Sequence, residues 1–213
     1  MMREPLQTDT AAPLLPERPT LPRLRAAAAG CTACPLFRTG TQTVFGEGLA
    51  GARAVFLGEQ PGDAEDRVGR PFVGPAGKLL DRALEKAGVD RKLVYLTNVV
   101  KHFKWTPRGK RRLHEKPNAR EIAACRPWLL AELTVVKPEV LVCLGATAAQ
   151  ALLGKSFRVT QMRGEILSHE LAPAIMATVH PSSILRAPDD GTRHREMELF
   201  VRDLRRIAPL LHH

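Results

Sequence analysis

The chain has 213 residues, 44% of them hydrophobic and 25% charged, with a formal net charge of +10 when histidine is neutral. That length and balance fit one globular domain with a sizeable core and exclude a disordered, fibrous or disulfide-stapled chain. No apolar run approaches the roughly 20 residues of a membrane-spanning helix. The N-terminal stretch has no apolar core of signal-peptide type, so a cytoplasmic protein with no membrane partner is expected.

Residues 1 to about 20 are rich in Pro, Thr and charge without sustained periodicity. They predict a flexible arm in front of a single domain over 21–211. Leu21 to Ala29 suit a short helix that stops at Gly30. Cys31 and Cys34 follow at once as a Cys-x-x-Cys pair. In a reducing compartment that pair points to metal or redox chemistry rather than a disulfide. Thr41 to Phe45 reads as a short strand. Ala54 to Leu57 is the first strong strand and feeds into Gly58–Gly77, GEQPGDAEDRVGRPFVGPAG. This stretch reads as one long structured turn, and long structured turns are usually functional. It has neither the Gly-Lys-Ser/Thr ending of a phosphate loop nor the G-x-G-x-x-G spacing.

From Lys78, apolar residues at 79, 80, 83, 84 and 87 make one helical face that ends at Gly88. Leu93 to Val100 is a second buried strand, with Asn98 among apolar neighbours. A buried amide needs partners, from the fold or from a ligand. The segment 102–117, HFKWTPRGKRRLHEKP, is a polar and basic excursion. A helical pattern resumes near Asn118 and carries Ile122, Cys125, Leu129, Leu130 and Leu133, with Pro127 expected to break or kink it. Glu139 to Leu144 is a third strand and Ala146 to Leu153 a short helix closed by Gly154. Glu165 to Leu171 and Ala174 to Val179 are two further strands. The last runs into His180-Pro-Ser-Ser, where Ser182 or Ser183 is expected to cap a helix. A final helix spans about Thr192 to Ile207. Strands alternating with helices predict an α/β fold, a three-layer α/β/α domain with a central, mostly parallel sheet.

The basic balance favours a polyanionic partner, nucleic acid first among them. Three loops leave strand ends with chemistry on them: Glu59-Gln60-Pro-Gly-Asp63, Asn98 extending into the basic segment, and His180-Pro-Ser182. In a parallel sheet such ends share one edge, so the loops can converge.

These stretches resemble the uracil-DNA glycosylase superfamily, in its family-4, iron–sulfur-containing form. The family motifs read G-E-x-P-G, then E-D-x-x-G-x-P-F-V-G-x-A-G, T-N-x-V-K and H-P-S. Here they are Gly58 to Gly62, Glu65 to Gly77, Thr97 to Lys101 and His180 to Ser182. The resemblance covers roughly residues 31–207. Gln60 stands where most of the family carries a small residue, and the loop after His102 is longer, carrying Lys110-Arg111-Arg112-Leu113-His114. Both features are similar to the UdgX branch, uracil-DNA-binding proteins that become covalently attached to their DNA.

The resemblance implies a uracil pocket with Gly58, Phe72, Asn98 and Ser182 on the substrate. Asn98 has a physical reason to read uracil, since one amide can accept from N3–H and donate to O4, a pattern that cytosine reverses. Phe72 offers a stacking face. His180 can hydrogen-bond O2 as charge builds on the departing base. Thymine's 5-methyl would be excluded by Tyr95 or Phe72. Glu59, Gln60 and Asp63 would serve the cleavage site, and Lys110, Arg111 and Arg112 the phosphates. His114 would attack C1′ and stay attached. Cys31, Cys34, His102 and Cys125 would hold a 4Fe–4S cluster, with His102 in the place of a third cysteine, while Cys143 is core. Zinc would accept the same four ligands. The expected partner is uracil-containing DNA, single-stranded preferred, bound by a monomer. A turnover glycosylase that releases free uracil is the alternative, and a non-catalytic iron–sulfur DNA-binding protein a third reading.

Overall fold

The computed structural model describes residues 10–211. Residues 1–9 and 212–213 lie outside the described residues, and with them part of the expected flexible arm. The rest of that arm is held. Ala11 is fully buried and its N–H donates to the Ala124 carbonyl at 2.9 Å. Leu14 and Leu15 pack on the same core.

Helix α1 (Leu21–Ala28) starts at Thr20, whose hydroxyl accepts from the Arg23 N–H. The expected strand over 41–45 does not form. That segment is tied instead by Val44 N–H to the Lys101 carbonyl, and beyond it Glu47 makes an isolated bridge with Leu96. Strand β1 (Ala54–Gly58) is buried throughout. The stretch after it is not one turn. It holds helix α2 (Asp63–Val68), ended by Gly69 at φ 78°, and its last residues already belong to α3 (Pro75–Ala87). The acidic residues that read as loop are first-turn residues of α2, where carboxylates complement the helix dipole.

Strand β2 (Val94–Asn98) ends at Asn98 itself. The basic excursion is ordered as a hairpin, β3 (Trp105–Arg108) and β4 (Arg111–His114), turning through Gly109 at φ 59°. Its register sets Trp105 opposite His114. Helix α4 (Ala119–Val136) opens with a capping box of Asn118 and Glu121 and runs through Pro127 without ending. Buried Cys125 on one side of Pro127, and Trp128, Leu129 and Leu133 on the other, hold the helix where propensity alone would break it. There follow β5 (Val140–Leu144), α5 (Ala146–Leu153), α6 (Val159–Met162), β6 (Ile166–His169), β7 (Ala172–Thr178), α7 (Pro181–Leu185) and α8 (Asp190–Arg205).

The sheet order is β2-β1-β5-β7-β6, with β6 antiparallel at one edge and the other neighbours parallel. Alternate side chains go to opposite cores. Val55, Leu57, Leu141 and Cys143 meet residues of α1, α4 and α5. Phe56, Leu96, Val142 and Met176 meet residues of α3, α7 and α8. This is the three-layer α/β/α arrangement with both sheet faces covered, which is why β1, β2 and β5 read as continuous apolar runs. Among the described residues no helix is long and apolar enough to cross a membrane.

A buried ion pair fixes the end of β2. Lys101 is 1% exposed and Glu132, on α4, fully buried. Lys101 Nζ donates to the Glu132 carboxylate, to Thr97 Oγ1 at 2.6 Å and to the Asn98 carbonyl at 2.8 Å. Glu132 also accepts from the Tyr95 hydroxyl at 2.9 Å, the Thr97 hydroxyl and the Gly46 N–H at 3.0 Å. Removing one partner of such a pair strands the other charge in a dry interior. Glu132→Leu is therefore expected to destabilise the fold by about 3–5 kcal/mol in urea denaturation, and Lys101→Met added to it to recover most of that loss.

Candidate functional site

Strands β1, β2, β5 and β7 end on one edge of the sheet, and their loops enclose a cavity of about 920 Å³. Gly58 and Asn98 are register partners. A β-carbon at Gly58 would collide with Asn98 Oδ1 and lie 2.8 Å from Phe72 Cζ, so only glycine lets the amide and the ring come together. Phe72 has φ 56°, the left-handed region that a bulky residue rarely occupies. A β-carbon at Gly77 would strike the Phe72 carbonyl, so that glycine makes room for the strained backbone. The Phe72 ring stacks at 29° to the His180 ring, centroids 6.4 Å apart. Asn98 is 3% exposed and lines the cavity, and its side-chain amide has no hydrogen-bond partner among the described residues.

His180 caps α7 with its own side chain, a role the sequence assigned to Ser182 or Ser183. Its Nδ1 accepts from the Ser182 N–H at 3.1 Å and lies 2.8 Å from the Ser182 hydroxyl. An accepting Nδ1 places the proton of the neutral ring on Nε2. Burial, then the charges of Arg186 and His114, push this imidazole down to about 4. The ring is thus a neutral Nε2–H donor in the cavity wall. Ser182 holds His180 and lines the cavity beside it.

Glu59 directs Oε1 to His114 Nε2 at 3.3 Å, while its Oε2 accepts from the Thr147 hydroxyl. Gln60 does something different from what its place beside Glu59 suggested. Its amide N–H groups donate to the carbonyls of Lys104 and Glu115, both at 3.0 Å, and its Oε1 accepts from the Lys104 N–H at 3.1 Å. Gln60 clamps the two ends of the hairpin that carries His114. Asp63 and Asp66 both bind Arg112, with 2.6 Å to Asp66 Oδ2, and the guanidinium lies over Phe103 and Trp105. Arg67 and then Arg112 hold the Asp63 carboxyl below the usual range. Arg112 is thereby engaged with carboxylates rather than presented to phosphate. Lys110 and Arg111 sit exposed at the hairpin turn.

Tyr95 does not border the cavity. It is fully buried with its hydroxyl on Glu132, which removes it as a limit on thymine. Phe72 and Glu65 do line the cavity. Glu65 is held by the Gly74 N–H at 2.9 Å, and a β-carbon at Gly62 would sit 2.7 Å from its Oε2. Sequence reasoning placed Glu65 within a motif but gave it no role of its own. It also missed Thr147, which the end of β5 on the same edge could have signalled.

Cys31, Cys34 and Cys125 are buried free thiols. Cys31 Sγ accepts from the Trp128 indole N–H at 3.3 Å and Cys125 Sγ from the Lys101 N–H at 3.2 Å. Burial raises the Cys34 thiol and pushes Cys125 up to about 12, with the neighbouring cysteines adding to both. Cys143 is raised by burial alone, with no cysteine contributing, and stands apart on β5. His102 is buried, its Nε2 lies 3.0 Å from the Thr43 hydroxyl, and burial pushes it down to about 4. Among the described residues no three His, Cys, Asp or Glu side chains converge as one metal ion would require.

The family model for the uracil DNA glycosylase superfamily matches residues 45–205. The chain is 41% identical over 169 residues to a type-4 uracil-DNA glycosylase of Thermotoga maritima, covering 79% of this chain and 84% of that protein. It is 35% identical over 178 residues to a type-4 uracil-DNA glycosylase of Pyrobaculum aerophilum, 80% and 87% of the two chains. A type-5 uracil-DNA glycosylase of the same organism is 29% identical over 174 residues, 74% and 71% of the two chains.

One test of this geometry is the protonation of His180. The unfolded chain takes up this proton near pH 6.5 and the folded chain only near 4, so its contribution to stability is lost as pH falls between those values. Long-range nitrogen–proton NMR should show the Nε2–H tautomer at pH 7 and still at pH 5.5. An imidazolium signal for His180 at pH 6 would refute the assignment.

Proposed function

The chain belongs to the uracil DNA glycosylase superfamily, and from that membership we propose that it cleaves the N-glycosidic bond of deoxyuridine in DNA. The observation that carries this reading is the unpartnered Asn98 amide in the wall of the cavity that the Phe72 ring and the neutral Nε2–H of His180 also line. Uracil's N3–H and O4 suit that amide, and cytosine inverts the pattern. The nucleotide must leave a duplex stack, or arrive unpaired, to enter such a pocket, which favours single-stranded DNA. As the C1′–N1 bond breaks, its electron pair goes to uracil and His180 donates to the negative O2. Glu59 lies opposite the growing positive charge at C1′. Lys110 and Arg111, exposed at the hairpin turn, would meet phosphates. Glu65 and Phe72 close the wall against a 5-methyl group. A monomer acting in cytoplasmic DNA repair fits these features.

Two fates follow for C1′. The names of the relatives favour attack by water and turnover, which we take as the first reading. The second is capture, favoured by one observation: His114 Nε2 lies 3.3 Å from Glu59 Oε1, on a hairpin fixed by Gln60 and Arg112. There the Nδ1–H tautomer of His114 attacks C1′ with its Nε2 lone pair as uracil leaves with the electron pair of the broken bond, and the resulting imidazolium stays paired with the Glu59 carboxylate. Uracil-containing single-stranded DNA should release uracil, thymine DNA should not, and Asn98→Ala should lose about 1–3 kcal/mol of discrimination. Turnover yields many uracils per protein and no heat-stable adduct. Capture yields one uracil per protein and a slower band on a denaturing gel, mapped to His114 and lost in His114→Ser. No uracil release at all would overturn both.

For the metal centre we propose Cys31, Cys34, His102 and Cys125 as ligands of a 4Fe–4S cluster. The thiols are buried near one another, and indole and backbone N–H groups already point at two sulfurs, as cluster sulfurs favour. When bound, the cluster would supply a cross-link between the Cys31–Cys34 segment, α4 and the approach to the hairpin. Cys34→Ala should lose iron and thermal stability while Cys143→Ala keeps both. Stoichiometric zinc without iron or sulfide would overturn the assignment.

A further inference from the structure

We propose that Thr147 is a positioning residue for the Glu59 carboxylate, and that the β5–α5 turn is a fourth functional motif of this site. The inference rests on the glycosylase reading above. The Glu59 backbone is fixed, because its carbonyl accepts from the Val100 N–H at 3.0 Å. Its side chain remains to be fixed. Among the described residues the carboxylate has two partners, His114 at Oε1 and the Thr147 hydroxyl at Oε2. His114 is half exposed on a hairpin, whereas Thr147 is 6% exposed in the first turn of α5. Thr147 is the rigid one of the two.

The same turn also touches the leaving-group side. Gly145 has φ 87°, and a β-carbon there would lie 3.1 Å from His180 Cβ. The β5–α5 turn therefore stands between Glu59, which faces the positive charge at C1′, and His180, which faces the negative charge on the base. A carboxylate stabilises a developing cation best when it need not reorient during the step. The hydroxyl of Thr147 removes that freedom, and the first turn of a helix favours the negative charge it holds.

Thr147→Val keeps the shape and removes the donor, while Thr147→Ser keeps the donor. Single-turnover uracil release from a uracil-containing single-stranded oligonucleotide should slow about ten- to hundredfold in Thr147→Val. The half-saturating concentration should stay near the wild-type value, and Thr147→Ser should retain nearly full rate. Thermal melts accompany each variant. If Thr147→Val melts early, Thr147→Ala against Thr147→Ser below the lower melting point makes the same comparison. Unchanged cleavage in Thr147→Val, equal slowing in the serine variant, or a loss confined to binding would overturn the proposal. Wild type run in parallel separates the two failures: if it releases no uracil, the glycosylase reading falls and takes this inference with it.

Discussion

The pairing of Lys101 with Glu132 is the constraint on which the site depends. One ammonium, fully removed from water, is shared by a carboxylate of α4, a hydroxyl of β2 and the carbonyl of Asn98. The backbone N–H of the same lysine reaches Cys125. Two charges in a dry interior are tolerable only when every donor and acceptor is met, as here. The geometry that satisfies them also fixes the backbone of Asn98 and the position of the Cys125 thiol. The end of β2 and the Cys125 thiol are thereby coupled through a single residue.

A second layer of organisation lies above the sheet. The hairpin joins the cavity through side chains more than through the strand ladder. Gln60 holds its two ends and Arg112 lies between two carboxylates and two aromatic rings. That construction keeps His114 beside Glu59 although half of its own surface faces solvent.

Much of the fold was legible because its strands are apolar runs and its helices end at glycines or capping residues. Gly58, Asn98 and His180 were placed correctly at strand ends, since parallel strands must finish on one edge. What was not legible depended on distant partners. The acids of α2 read as loop because a six-residue helix rich in Asp and Glu has little apolar face. The hairpin was hidden because its strands are polar and mostly exposed. Pro127 argued for a break that long-range packing prevents. Gln60 sat in a catalytic motif, and nothing local says that its amide reaches residues 44 and 55 positions away. Thr147 lay in an ordinary helix start until Glu59 was seen beside it.

The manner of the hairpin's attachment has an evolutionary consequence. Because β3 and β4 form their own two-stranded sheet and add no strand to the main one, the segment is separable. Lengthening or shortening it leaves the register of β1 and β2 untouched, and only a few side chains must adapt. Gln60 is the point of attachment: both of its amide donors are taken up by carbonyls at the two ends of the hairpin. A scaffold of this kind can thus carry a different segment over the cavity by changing that segment and the one residue that receives it.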